Sequence, residues 1–358
     1  MFSITYPQSE TALFLQCFVQ MKWPYVIFFI PLFMGFIAYS LHRRTSVTDL
    51  ASLTFVSYTP SAWEEEWWER AEEWRDRECE VLTTAPHATF VQQWLDISRF
   101  SILARGAAVP RPSATDAFSV MRYRTPTGAV VDVRVEPLAG ILRDPRLPCA
   151  TALGAPSWTP HNADIQSKDF IYLDPLLFDV TAALTFPRRR VMLFDLGAST
   201  FNDPDMPGLS WMYPKYASEG LQLTDLFAWE VRPKPGGTFF EGMPLPLAAA
   251  SHFYNFGVDM TVGGAANPLA ILKSVAHKDD YVILKVDIEV VHIEEAVVEA
   301  LLADPDALAL VDDFYWEHHV RIKSMMEWWA IESGEGVKRT MRYLRMLRSR
   351  GVRAHAWP

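Results

Sequence analysis

Five short apolar runs in the second half of the chain each lead to an acid or an imidazole. Val191–Leu196 contains Asp195 and runs into Gly197, and Leu226–Val231 carries Glu230. His252–Val258 is followed by Asp259, and Tyr281–Ile288 delivers Asp287, with Glu289 next. A run within Leu308–His319 closes on Glu317, His318 and His319. Carboxylates at such places can accept from sugar hydroxyls or an ammonium group, or take a proton from a reacting hydroxyl. Asp287 and Glu289 are the first candidates for a base, His318 and His319 the second, and Glu317 is a further candidate catalytic residue. Asp287, Glu289, Glu317 and one histidine, His318 or His319, also form a candidate set for a divalent metal. Glu317 and His319 share a strand face from which His318 points away, and for either histidine the alternative is a hydrogen bond in the core. Arg188, Arg189 and Arg190 precede the first run, so they belong to the opposite edge, as a solvated face.

The elements between these runs predict how they are placed. Leu209–Glu219 reads as a helix broken by Pro214 and stopped by Gly220. Glu294–Ala303 reads as a helix ended by Asp304 and Pro305, and Met325–Arg350 as a largely helical stretch stopped by Gly351. Val352–Trp357 is a last strand. Strands alternating with helices predict an α/β domain with a doubly wound, mostly parallel sheet over residues 186–358. In such a sheet, ligands bind outside the carboxyl ends of the strands, near the switch in strand order.

Asp195-Leu-Gly197-Ala-Ser199, followed by Leu284-Lys-Val-Asp287-Ile-Glu289, resembles the FkbM-type branch of class I S-adenosylmethionine-dependent methyltransferases. The closing Phe314-Tyr-Trp-Glu317-His318-His319 and Gly351-Val-Arg-Ala-His-Ala-Trp357 are similar to membrane-anchored members of that family from algae and other protists. The resemblance covers residues 186–358 and implies a Rossmann-like fold, S-adenosylmethionine as cofactor, and a sugar or other small hydroxyl acceptor. It implies that Asp195, Gly197, Ser199, Glu230 and Asp259 bind the cofactor: Asp195 at its amino group, Glu230 at the ribose, Asp259 near the adenine. Gly197 would let the backbone approach without a Cβ in the way. Two departures stand out: Thr200-Phe-Asn-Asp-Pro replaces the usual further glycines, and the antiparallel seventh strand is missing. Val130–Val135 is a candidate to fill that edge.

The first half reads differently. Trp23–Leu41 carries no charge. At ~1.5 Å per residue it is long enough to span a ~30 Å hydrocarbon core. It predicts a single-pass anchor, after an N-terminal segment of residues 1–22. A cleaved signal peptide is the alternative. His42, Arg43 and Arg44 follow it, a charge bias towards a cytosolic soluble region; an ER or Golgi lumenal arrangement remains open. Residues 42–185 form an accessory or lid region. There Trp63, Trp67 and Trp74 mark one helical face, which docks on the domain or, as the alternative, lies on the membrane. Val131, Val133 and Val135 alternate with Asp132, Arg134 and Glu136, as in a half-buried strand. Cys17, Cys79 and Cys149 lack metal or redox spacing. Buried free thiols are the ordinary expectation, with a Cys79–Cys149 pair in an oxidising lumen as the alternative. The net charge of −10 argues against nucleic acid as a partner.

Three functions fit these residues. The first is methyl transfer to oxygen. The second is metal-dependent glycosyl transfer from a nucleotide sugar, with Asp203-Pro-Asp205 or Asp287-Ile-Glu289 as the carboxylate pair. The third is a Rossmann-like module that binds without catalysing.

Overall fold

The computed structural model describes residues 53–103, 117–140, 145–152, 168, 170–184, 190–202, 208–322 and 336–357. The predicted anchor lies outside these residues. Among the described residues no helix is long and apolar enough to cross a membrane.

The chain opens with strand β1 (Thr54–Thr59) and helices α1 (Ala62–Trp74), α2 (Glu78–Thr83) and α3 (His87–Leu103). Strands β2 (Ser119–Arg124) and β3 (Val130–Val135) follow, then α4 (Leu147–Ala152) and α5 (Pro175–Leu184). The alternating part runs β4 (Val191–Leu196), α6 (Leu209–Ser218), β5 (Asp225–Trp229), α7 (Leu245–Ala249) and β6 (Ser251–Tyr254). It continues with α8 (Pro268–Val275), β7 (Tyr281–Val286), α9 (Val291–Ala303), α10 (Pro305–Leu308), β8 (Asp313–Trp316), α11 (Val337–Arg348) and β9 (Arg353–Ala356).

Strands β4 to β9 form one six-stranded sheet in the order β6-β5-β4-β7-β8-β9, every pair parallel. This is the doubly wound order, and its switch point lies between β4 and β7. Strands β4 and β7 are buried throughout, as expected where helices cover both faces. Met192, Phe194 and Leu196 pack on one side with Leu284, Trp316 and helices α9 and α11. Val191 and Leu193 pack on the other with Tyr281, Tyr315 and helix α6. Helix α6 continues through Pro214 and is not broken by it.

The β3 strand does not fill the sheet's edge. It pairs antiparallel with β2, and β2 with β1, in a separate three-stranded sheet. Its alternation is that of a half-buried strand, as predicted: Val133 and Val135 are buried and Asp132 is exposed. The tryptophan stripe of α1 is fully buried in the same core as the parallel sheet, so that helix docks on the domain and its Trp face does not meet a membrane. Ser61 caps α1 by accepting from the Glu64 N–H. The helix stops at Trp74 and carries the surface pair Arg70–Glu73, while Arg77 and Glu80 pair at the start of α2. Cys79 and Cys149 are bridged, not free, and join α2 to α4. Arg190 is half-buried: its guanidinium holds Asp280 at 2.6 Å and donates to the Val275 carbonyl, and Arg188 and Arg189 lie outside the described residues.

Residues 51–358 form one compact unit, so the accessory region is continuous with the sheet. Buried charge joins them. The Glu64 carboxylate of α1 accepts from Ser119 Oγ at 2.7 Å and from the Leu138 N–H, and lies 3.3 Å from Arg348 of α11. Arg348 also donates to the Glu136 and Ala354 carbonyls. Glu136 then meets His355 of β9 at 2.6 Å, and Arg353 meets Asp313 at 2.6 Å. Burial alone would raise the Asp313 carboxyl, but Arg353 and His355 outweigh it and hold it down to about 2. Its contribution to stability is therefore present above the unfolded value of ~3.9 and lost as pH falls through about 2. Replacing Arg348 with Leu takes from the buried Glu64 and Glu136 carboxylates the cation they share. Chemical denaturation should show a loss of about 3–5 kcal/mol; a loss below about 1 kcal/mol would mean that Arg348 does not bind the two parts together.

Candidate active site

The register of β4 on β7 sets Asp195 beside Lys285. Lys285 Nζ lies 2.9 Å from Asp195 Oδ1 and 2.9 Å from Asp287 Oδ2. All three side chains are buried. Burial works against the Lys285 charge, but the two carboxylates outweigh it and hold its pKa above the ordinary lysine value. Burial raises Asp287 most; Lys285 counters this and Glu317 adds to it, leaving the carboxyl pushed up to about 7. Asp287 Oδ1 is buried and has no hydrogen-bond partner among the described residues.

Gly197 makes this arrangement possible. It has φ +91°, and a Cβ there would sit 1.6 Å from the Asp287 carbonyl oxygen. Its missing side chain thus makes room for the neighbouring strand end, where the sequence suggested room for a ligand. The Gly197 and Ala198 N–H groups both donate to the Trp229 carbonyl at 2.9 Å, pinning the turn onto the end of β5.

An open cleft of about 580 Å³, solvent included, lies over these ends. Gly197, Ser199, Glu230, Phe256, Asp287 and Glu289 are among the residues that line it. Asp195 is not in the lining; it sits behind Lys285. Glu230 Oε1 accepts from the Arg232 N–H at 2.6 Å, and Oε2 lies 3.8 Å from Lys234 Nζ. Asn255 donates to the Glu230 and Arg232 carbonyls and so braces that loop. Ser199 and Glu289 both take left-handed backbone, at φ 46° and 67°. Such strain in non-glycine residues gathers at functional sites.

Asp259 is not brought here. Strand β6 ends at Tyr254, and Asp259 is exposed and turns back on its own loop, accepting from the Thr261 N–H and hydroxyl. His318 also leaves the site. Its Nδ1 is 2.8 Å from Thr340 Oγ1, its Nε2 is 3.3 Å from Glu295, and its ring stacks on Trp316. Burial pushes its pKa down to about 3, with Arg339 and His319 adding to the effect. Glu317, His319 and Glu289 form their own group: His319 Nε2 lies 3.7 Å from Glu317 and 3.6 Å from Glu289. Burial opposes the His319 charge, yet these acids raise its pKa. Among the described residues no three acid, histidine or cysteine side chains converge on a metal position. Asp287 turns to Lys285 while Glu289 turns to His319, so they do not form a carboxylate pair. Asp203 and Asp205 lie outside the described residues.

Two residues of the site had no assigned role in the sequence. Lys285 stood in the Leu284-Lys-Val-Asp287-Ile-Glu289 motif without a role of its own. Glu294, in the first turn of α9, is fully buried and holds the turn after β7. No family model, curated protein or solved structure matches the chain. The functional reading therefore rests on the site itself.

Gly197→Ala should cost about 3 kcal/mol or more, from the added clash and the positive φ together. Equilibrium unfolding measures it; a cost below about 1 kcal/mol would mean that β4 and β7 do not need this close approach.

Proposed function

We propose that the chain is a methyltransferase that binds S-adenosylmethionine in this cleft and methylates a hydroxyl of a sugar or other small acceptor. The observation that carries the proposal is Asp287: a buried carboxylate at the switch point, with one oxygen held by Lys285 and the other unpartnered. The donor set fits the cofactor, because an acid-lined cleft suits a ligand bearing a sulfonium and an ammonium group. When bound, the cofactor supplies an activated methyl group. Glu230 Oε2 is placed to accept from ribose hydroxyls. Asp287 Oδ1 takes the proton from the acceptor hydroxyl. Lys285 anchors that carboxylate through Oδ2 and leaves the other oxygen to react. Glu289 in the lining, with His319 and Glu317 beyond it, can relay the proton outward.

A base with its pKa near 7 is half ionised at neutral pH. Turnover should therefore rise with pH through about 7 and fall away below it. Asp287→Asn should reduce turnover by ~10²–10⁴-fold without unfolding the chain. The first check is thermal unfolding of the full-length protein in detergent, with and without S-adenosylhomocysteine. At a hundred times its dissociation constant the ligand should stabilise by about 2.7 kcal/mol, a shift of a few degrees. No shift in a cooperatively folding protein would remove the methyltransferase reading.

We further propose that residues 23–41 hold the chain in a membrane with the soluble region on the oxidising side. The Cys79–Cys149 bridge supports that side, since structural disulfides persist there and are rare in the cytosol. The charge bias after the hydrophobic run points the other way. In the native membrane, alkylation of Cys79 and Cys149 should require prior reduction; ready labelling without reductant would place the region in the cytosol.

A further inference from the structure

We infer that Glu294 is the positioning residue of this site: its buried carboxylate clamps the turn that aims Asp287 and Glu289 into the cleft. Glu294 Oε1 accepts from two consecutive backbone N–H groups, Ile288 and Glu289, each at 3.0 Å. Its Oε2 accepts from Trp316 Nε1 at 3.1 Å. The side chain is fully buried. A buried carboxylate is costly unless donors surround it. Here the three donors and the amino end of α9 offset that cost in part: burial still pushes the Glu294 pKa up to about 8, against His319, the Ile288 N–H and the Trp316 indole.

The contact resembles a capping box extended by one residue. In the usual form, an acid in the first helical turn reaches back to one N–H before the helix. Here the N-cap is Val290, and Glu294 reaches past it to the two residues upstream. Those are the residues between Asp287 and the helix. The second of them, Glu289, has φ 67°, a conformation that a non-glycine residue keeps only when its surroundings enforce it. Glu294 supplies the enforcement. Without it, two part-buried N–H groups lose their acceptor, and the turn can relax to a lower-energy backbone. Asp287 is tied on its amino side to β4, through its N–H to the Leu196 carbonyl. The Glu294 clamp fixes the other side. Trp316 lies on the next strand, so the clamp also ties the end of β7 to β8.

This chemistry allows a specific test. In Glu294→Gln the amide oxygen can still accept from the two backbone N–H groups. Its NH₂ group then faces the Trp316 N–H, donor against donor. Trp316→Phe alone leaves Glu294 Oε2 without its donor. The double variant Glu294→Gln/Trp316→Phe has neither fault. Amide hydrogen exchange of the full-length protein reads the clamp directly. Exchange at Ile288 and Glu289 should accelerate about tenfold or more in Glu294→Gln and recover substantially in the double variant. Distant sheet amides such as Phe194 should stay unchanged.

The functional arm rests on the methyltransferase reading. S-adenosylhomocysteine measured by calorimetry should bind about tenfold more weakly to Glu294→Gln, with recovery in the double variant. Unchanged exchange at both amides in Glu294→Gln, or no recovery in the double variant, overturns the inference. If the wild-type protein fails to bind the ligand, the methyltransferase reading falls, and the exchange arm still decides the role of Glu294. If Glu294→Gln does not fold, the double variant, compared with the wild type and with Trp316→Phe, carries the same decision.

Discussion

A lysine ammonium buried between two carboxylates, at the point where the strand order reverses, is the constraint around which the site is built. Lys285 cannot stay charged in a sheet interior unless acids meet it, and Asp195 and Asp287 do so from the same two strands. That demand fixes the register of β4 on β7. The register in turn brings the Asp287 carbonyl against Gly197, where a side chain has no room. Lys285 also makes the two oxygens of Asp287 unlike: one is held by the ammonium, and the other is buried without a hydrogen-bond partner among the described residues. Burial and the nearby Glu317 push the pKa of that carboxyl up, against Lys285.

A second set of buried charges does for the whole chain what Lys285 does for the site. Arg348 lies among Glu64, Glu136 and backbone carbonyls contributed by several elements. Each of those elements is held because leaving it would strand a charge in an apolar interior. The three-stranded sheet and the tryptophan helix therefore belong to the same cooperative structure as the parallel sheet. Their apolar residues alone do not say where they dock, because many faces could bury a tryptophan. The charges choose one.

The parallel sheet was readable in the sequence because strands buried on both faces appear as unbroken apolar runs, and β4 and β7 are such runs. The acids just beyond them could be placed by counting from the strand ends. Counting fails where a strand stops early. Strand β6 ends at Tyr254, so Asp259 belongs to a turn that satisfies itself. Alternation held past the end of β8: Glu317 and His319 meet, and His318 points away to Thr340 and Glu295. Lys285 and Glu294 were hidden for another reason. Their partners lie on other elements, and nothing local distinguishes a clamped acid from a helix-surface acid. The same holds for Cys79 and Cys149, which are separated by 70 positions and meet only through tertiary packing.

The pairing of Glu64 with Arg348 has a consequence for how the chain comes into being. The two residues are 284 positions apart. At ribosomal rates of ~5–20 residues per second, that separation is roughly 15–60 s of synthesis. Throughout that interval Trp63 can pack on His87, Phe90 and Trp94, which are nearby in sequence. Glu64, on the same helix, has no cation until the last helix has been made. The nascent chain can therefore gather its first aromatic cluster early but cannot close its interior until Arg348 has been made. Pairing across so long a stretch of sequence raises contact order, which slows folding.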